Sequence, residues 1–179
     1  FPYTTLFRSM KMGNNYPDKY PNFGRRDSFV TSINGIDTTL KNSDDRVQKF
    51  SGFKQWDILQ KLLFKQSDKI LHSLNLQFSN TNDVPRYDRL QDRRNFGGTI
   101  GNRLRYADWH YGPQKRNLYA YELNAQNLHG LFDEIRVNLN HQDIEEGRIT
   151  REFKRYDRKD ARVEKVKVSG FVADARKKF

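Results

Sequence analysis

The chain has 179 residues, a formal net charge of +11, 35% hydrophobic and 31% charged residues, and a mean hydropathy of −0.97. It contains no cysteine, which excludes disulfide frameworks, thiolate zinc sites and cysteine nucleophiles. Such polarity permits disorder, but 13% aromatic residues argues against it, since disordered chains are poor in Phe, Tyr and Trp.

No run approaches the ~20 apolar residues of a membrane helix; membrane-crossing strands need only ~9–11 each. A polar, aromatic-rich composition also suits a membrane barrel, because half of each strand faces water. The positive charge by itself favours a polyanion partner such as nucleic acid, lipopolysaccharide or an anionic lipid surface. Basic and acidic residues nevertheless alternate through Asp83–Arg94 and Arg148–Arg162, as on a solvated mixed-charge surface. The longest purely basic cluster is Arg176-Lys177-Lys178.

In chain order, Phe1–Ser9 resembles translated sequencing-adapter sequence and is set aside from the fold, leaving residues 10–179. On that expectation the natural start is missing and the chain is a fragment. Phe53–Gln66 fits two patterns. Trp56, Ile58, Leu62 and Phe64 share a strand face, whereas Trp56, Leu59 and Leu63 share a helix face. Ile70–Asn80 is clearer: Ile70, His72, Leu74, Leu76 and Phe78 alternate with Ser73, Asn75, Gln77 and Ser79. Period two over this length is a strand with one apolar and one polar face.

A loop of about thirty residues is expected between Asn80 and Lys115, punctuated by Pro85, Gly97, Gly98, Gly101 and Gly112. Alternation returns weakly in Lys115–Gln126, where Tyr119, Tyr121, Leu123 and Ala125 share a face. It is strong in Leu131–Gln142, where Ile135, Val137 and Leu139 oppose Glu134, Arg136, Asn138, Asn140 and Gln142. A charged connection over Lys154–Arg162 leads to Val163–Ala173, with Val166, Val168, Gly170 and Val172 in step. Eleven residues at about 3.4 Å each, tilted about 45°, rise about 26 Å, close to the bilayer core.

Gln66–Lys69 and Asn127–Gly130 read as tight turns. In bacterial barrels short turns face the periplasm and long loops face outside. By that rule Phe53–Gln66, Lys115–Gln126 and Val163–Ala175 run inward, and Lys69–Asn80 and Leu131–Phe153 run outward. Trp56, Tyr119 and Tyr121 then fall near outer strand ends, as in an aromatic girdle, with Tyr106, Trp109 and Tyr111 in the adjoining loop. Pro85 is expected to end a strand ladder, and Arg86, Asp88 and Arg89 to pair locally.

Catalytic signals are thin. His72, His110, His129 and His141 stand in different elements without paired carboxylates or metal-ligand spacing. Phe96–Gly101 lacks the Gly-Lys-Ser/Thr end of a phosphate loop, and Asp57 with Lys61, or Glu145 with Glu146, lacks a nucleophile. No enzyme, cofactor or metal site is expected, and no ligand-binding residue is assigned.

Two blocks carry a resemblance. Gln77–Leu90, ending Pro85-Arg86-Tyr87-Asp88-Arg89-Leu90, and Arg105–Arg116, containing Tyr111-Gly112-Pro113-Gln114-Lys115-Arg116, resemble signatures of TonB-dependent outer-membrane receptors of the Bacteroidota type. His110 departs from the aromatic residue of that pattern. Gly52-Phe53-Lys54-Gln55 and Gln142-Asp143-Ile144-Glu145-Glu146 add weaker matches, so the resemblance spans about Tyr20 to Ala175. It implies an all-β, antiparallel transmembrane β-barrel of 22 strands with an N-terminal plug, of which this chain supplies about five or six strands. It further implies import of a scarce nutrient (siderophore, haem, cobalamin or oligosaccharide) across the outer membrane of a Gram-negative bacterium. The partners implied are the TonB system through the plug, the nutrient, the lipid bilayer and lipopolysaccharide, with no nucleic acid. The lumen face would include Asn75, Gln77, Glu134, Arg136, Asn138 and Asn140. The rival reading is a soluble basic β-domain binding nucleic acid through interleaved aromatic and basic residues.

Overall fold

A computed structural model describes residues 3–12, 16–17, 26–96 and 99–177. The protein is an antiparallel β-sheet protein. In chain order its strands are β1 (Tyr3–Met12), β2 (Tyr16–Pro17), β3 (Ser28–Ile33), β4 (Ile36–Lys41), β5 (Val47–Gln48), β6 (Phe53–Lys65) and β7 (Ile70–Thr81). Then follow β8 (Val84–Pro85), the single turn of helix α1 (Tyr87–Leu90), β9 (Arg93–Phe96), β10 (Thr99–Leu104), β11 (Tyr106–Gln126), β12 (Glu134–Glu152) and β13 (Asp160–Arg176). The main sheet runs β1-β6-β7-β11-β12-β13, with β8 added beside β11; it is open, with β1 and β13 at its edges.

Phe53–Lys65 is a strand, and its even residues face the same side as Phe78, Leu76, Leu74 and His72. Cross-strand pairing with β7 selects the two-residue period over the helical one. Tyr3–Ser9, part of the segment set aside on sequence grounds, registers with Leu62–Trp56. Backbone groups make that ladder, and any extended segment supplies them at an open edge.

The expected loop between Asn80 and Lys115 is largely structured, which corrects the sequence reading. β11 begins at Tyr106 and runs 21 residues, and β12 runs 19. The two remain paired from Ala125–Ile135 up to Tyr106–Glu152, with register shifts between Tyr111 and Gln114 and between Tyr106 and Asp108. These shifts break the alternation in sequence, so the outer half of β11 does not read as a strand. A shift also lets β11 accept β8 beside Thr81, through His110–Pro85 and Tyr111–Val84. Pro85 is the last residue of β8 but does not end the pairing as expected, because the next amide, that of Arg86, donates to the Trp109 carbonyl oxygen at 2.9 Å.

Gly112 allows this crossing. Its φ is +101°, and a Cβ there would stand 2.7 Å from the Asn82 carbonyl oxygen. Gly147 on β12 packs against the same point, where a Cβ would meet the Gly112 oxygen at 2.6 Å. Three backbones therefore pass within side-chain-free distance of one another.

Candidate functional site

Register divides the main sheet into two faces. On one, successive rungs join Ile70, Ala125 and Ile135; His72, Leu123 and Val137; Leu74, Tyr121 and Leu139; Leu76, Tyr119 and His141. β6 contributes Phe64, Leu62 and Ile58, and β13 contributes Phe171 and Ala173. This apolar band is uncovered: Phe64 is 46% exposed, Leu139 45% and Phe171 67%. Among the described residues the buried hydrophobic side chains are Tyr87 and Leu104, and neither belongs to the band. The sheet is two-faced without a core beneath it.

Polar groups inside the band are matched to one another. His72 Nδ1 lies 2.7 Å from the Tyr121 hydroxyl and its Nε2 2.8 Å from Gln66 Oε1. His141 Nδ1 lies 2.8 Å from Ser169 Oγ. Partnered polar groups are what a low-dielectric neighbour demands.

The opposite face carries Asn75, Gln77, Glu122, Asn124, Arg136, Asn138, Asn140 and Gln142. The six residues expected on a lumen face, Asn75, Gln77, Glu134, Arg136, Asn138 and Asn140, do share it. Arg136 Nε donates to Asn124 Oδ1 at 2.9 Å, Asn124 donates to Glu122, and Arg116 donates twice to Gln142 Oε1, at 3.2 and 2.8 Å. Leu59, Leu63, Leu71, Leu118 and Ile144 share this face with them, so its polarity is concentrated on β12 and the middle of β7. β13 departs further. Val166, Val168 and Val172 lie on the polar face, while Lys165 and Lys167 lie on the apolar side just beyond the band.

Tyr119 and Tyr121 require a second correction. Because β11 starts at Tyr106, they stand in the half nearer the Asn127 turn, within the band, and not at the outer end. Trp56, four residues into β6, does lie near the outer end, and Tyr106, Trp109 and Tyr111 belong to β11 itself.

Beyond the band, the outer halves of β11 and β12 carry a small lobe. The β3–β4 hairpin is tied on by Asp37, which is 3% exposed. Its carboxylate accepts from Arg151 Nη1 and Nη2 at 2.7 and 2.8 Å and from the Lys154 amide at 2.7 Å. The Asp37 amide donates to the Tyr156 hydroxyl at 2.8 Å. The Arg151 hydrogen bonds hold the Asp37 carboxyl below its ordinary range, against burial, which acts the other way.

The β8–α1 segment is pinned by Arg86. Its guanidinium stacks 5.0 Å from Trp109 and 5.2 Å from Tyr111, donates to the Tyr111 hydroxyl at 2.9 Å, and forks onto Asp88 at 2.9 and 2.7 Å. The expected local pairing of Arg86 with Asp88 is present. Arg89 instead reaches Asp92, at 3.5 Å. A cavity of about 140 Å³ lies between Phe29, Phe50, Tyr87, Trp109, Asp108 and His110. It has the size of a single small ring.

Two histidines do have carboxylate partners, contrary to expectation. His110, buried, lies 2.7 Å from Asp108 through Nδ1, with Asp83 3.5 Å from Nε2, inside ion-pair range but without a hydrogen bond. His141 Nε2 lies 3.3 Å from Asp143. The signal was available in the sequence: Asp108/His110 and His141/Asp143 are two apart, hence on one face of a strand. Among the described residues no group of three or more His, Asp or Glu side chains is placed to hold a metal ion, and no helix is long and apolar enough to cross a membrane. Gly97 and Gly98 of Phe96–Gly101, and Lys178 of the terminal basic cluster, lie outside the described residues.

Lowering pH should loosen the lobe. Unfolded, Asp37 titrates near ~3.9; folded, it titrates lower. The folded state therefore holds fewer protons, so this contribution is complete above the unfolded value and disappears as pH falls through the folded one. The Asp37 amide chemical shift, which reports its bond to Tyr156, should stay constant from pH 7 to about 5 and move only below about 4. A midpoint near neutrality would contradict the assignment.

Comparison with family models, curated proteins and solved structures gives no match to this chain.

Proposed function

We propose that this chain is part of the wall of an outer-membrane β-barrel belonging to a TonB-dependent receptor, which binds and imports a scarce nutrient without catalysis. The observation that carries the reading is the uncovered apolar band across β6, β7, β11, β12 and β13, set against a hydrogen-bonded polar face. Lipid satisfies the first face and a water-filled lumen the second.

Dimensions support this. From Ile70 to the Asn80–Trp56 rung, β7 rises about 34 Å, or about 24 Å along the membrane normal at a tilt of about 45°. The apolar band of outer-membrane barrels is about 25 Å tall. β11 and β12 continue well past the band, as strands supporting an outer lobe would. Four residues join β6 to β7, but the turn expected at Asn127–Gly130 extends over 127–133, as long as the β12–β13 connection at 153–159, so the contrast of short and long connections holds only for β6–β7 against β7–β11. The blocks that resemble the receptor family lie in this outer region: Pro85–Leu90 forms the end of β8 and α1, and Tyr111–Arg116 brackets the β11 register shift. A 22-stranded closure, a plug and the TonB connection belong to the proposal through the resemblance. In that receptor the outer lobe captures ligand, and the polar face hydrates its route.

The charge of +11 keeps a nucleic-acid-binding domain as the competing reading. Expression of the chain discriminates. Barrel wall should appear in inclusion bodies or require detergent, with at most weak, sequence-indifferent oligonucleotide binding. A stable detergent-free monomer that binds oligonucleotide with a steep salt dependence would sink the proposal.

A further inference from the structure

The cavity of about 140 Å³ in the outer lobe plays no part in the two-faced sheet. Its walls are aromatic. Phe29 and Phe50 meet edge to face with ring centroids 5.4 Å apart, and Tyr87, Tyr106 and Trp109 add to the lining, with Asp108 and His110 among its polar groups. We propose that this cavity binds one small neutral phenolic ring, its hydroxyl turned to Asp108 and His110. The site gives a ligand chemistry to the capturing role of the outer lobe, and rests on that reading.

Volume sets the size of the guest. An apolar cavity of about 150 Å³ holds one benzene ring, whereas larger ligands need about 300 Å³ or more. A sugar ring would leave several hydroxyls unpaired against Phe29, Phe50 and Leu90. Charge sets the class. Arg26, Arg86 and Arg105 already lie over Tyr87, Trp109 and Tyr106, at 5.3, 5.0 and 5.0 Å, and Lys49 joins the lining, so a cationic guest is repelled. An anionic guest meets the Asp108 carboxylate and, beyond His110, that of Asp83. A neutral ring is left. Hydrogen bonding sets its substituent. His110 is buried, and its Nδ1–H donates to Asp108 Oδ1 at 2.7 Å, which makes Nε2 of the neutral imidazole an acceptor. Nε2 makes no hydrogen bond among the described residues, and the carboxylate facing it, Asp83 at 3.5 Å, is an acceptor too. A guest that brings one O–H donor is therefore preferred to a bare ring.

The test uses the full 179-residue chain in a detergent without aromatic groups, with fluorinated rings followed by fluorine NMR. Para-fluorophenol should bind roughly tenfold more tightly than fluorobenzene, and para-fluorobenzoate more weakly than either. Leu90→Trp, which fills the cavity, should abolish binding of all three. His110→Phe should keep fluorobenzene, which shows that the cavity persists, and lose the preference for the phenol. Asp108→Asn, equal in size, should also reduce that preference, because its amide donates to Nδ1 and the imidazole proton moves to Nε2, turning the acceptor into a donor. The chain has two tryptophans, so in Trp56→Phe the emission is that of Trp109 alone and should change over the same concentrations of phenol. No binding of any ring, equal affinity for phenol and fluorobenzene, or a preference unchanged in both His110→Phe and Asp108→Asn would overturn the site. Titration in detergent reads the cavity alone, and quenching in bilayers along β7 reads the lipid face alone. Phenol binding without quenching would keep the site and remove the barrel wall; quenching without phenol binding would do the reverse.

Discussion

Replacing Arg151 by Ala is expected to free the β3–β4 hairpin from the outer lobe while leaving the β7–β11 ladder intact. Asp37 is 3% exposed and receives two of its three carboxylate hydrogen bonds from that guanidinium. Without it, a buried carboxylate keeps only the Lys154 amide. Breaking a buried, hydrogen-bonded pair by removing one partner costs about 3 kcal/mol. That is about a 100-fold increase in the opening equilibrium of the hairpin. Hydrogen exchange at the paired amides of Phe29–Leu40 should accelerate accordingly, and exchange at Leu74–Phe78 should not. Arg151→Lys should rescue poorly, because an ammonium cannot reproduce the forked contact. Uniform acceleration across the sheet would mean that the lobe and the sheet form one cooperative unit, contrary to this division.

The second large effect separates the two faces of one strand. Leu76 sits in the apolar band beside Tyr119 and Gln60, and Gln77 sits on the polar face beside Leu118 and Leu59. If the band faces lipid, Leu76→Arg near mid-band costs about 2–4 kcal/mol and reduces barrel assembly in the intact receptor. Gln77→Arg keeps its charge in the lumen and should be much milder. Heat-modifiable mobility in detergent gels reads the folded fraction of both. Equal tolerance would remove the distinction on which the barrel reading depends.

How far these features were legible in the sequence depends on how local their cause is. β7 is readable almost to the residue, because Ser73–Ser79 alternates without interruption, Leu71 being the one apolar residue out of step, and Thr81 closes it. The polar face of β12 is readable for the same reason. The β6 ambiguity ends only with its neighbour, since Trp56–Phe64 fits helix and strand alike until β7 imposes the register. The outer half of β11 is hidden because the shift at Tyr111–Gln114 moves side chains to the other face, and Gly112 and Pro113 look like punctuation. β13 misleads differently. Its valines alternate correctly, yet the register with β12 turns them towards the polar side. The Asp37–Arg151 anchor joins residues 114 apart in sequence, and no local pattern announces such a pair.

The membrane reading meets its most direct test in a cysteine scan of β7, which needs no background mutation because the chain has no cysteine. Residues 71 to 78 would carry a fluorophore one at a time, in protein folded into lipid bilayers whose acyl chains bear a quencher. Quenching should alternate with period two, strong at Leu74, Leu76 and Phe78 and weak at Ser73, Asn75 and Gln77. Uniformly weak quenching along the strand, with both faces open to a water-soluble quencher, would contradict a lipid-facing band.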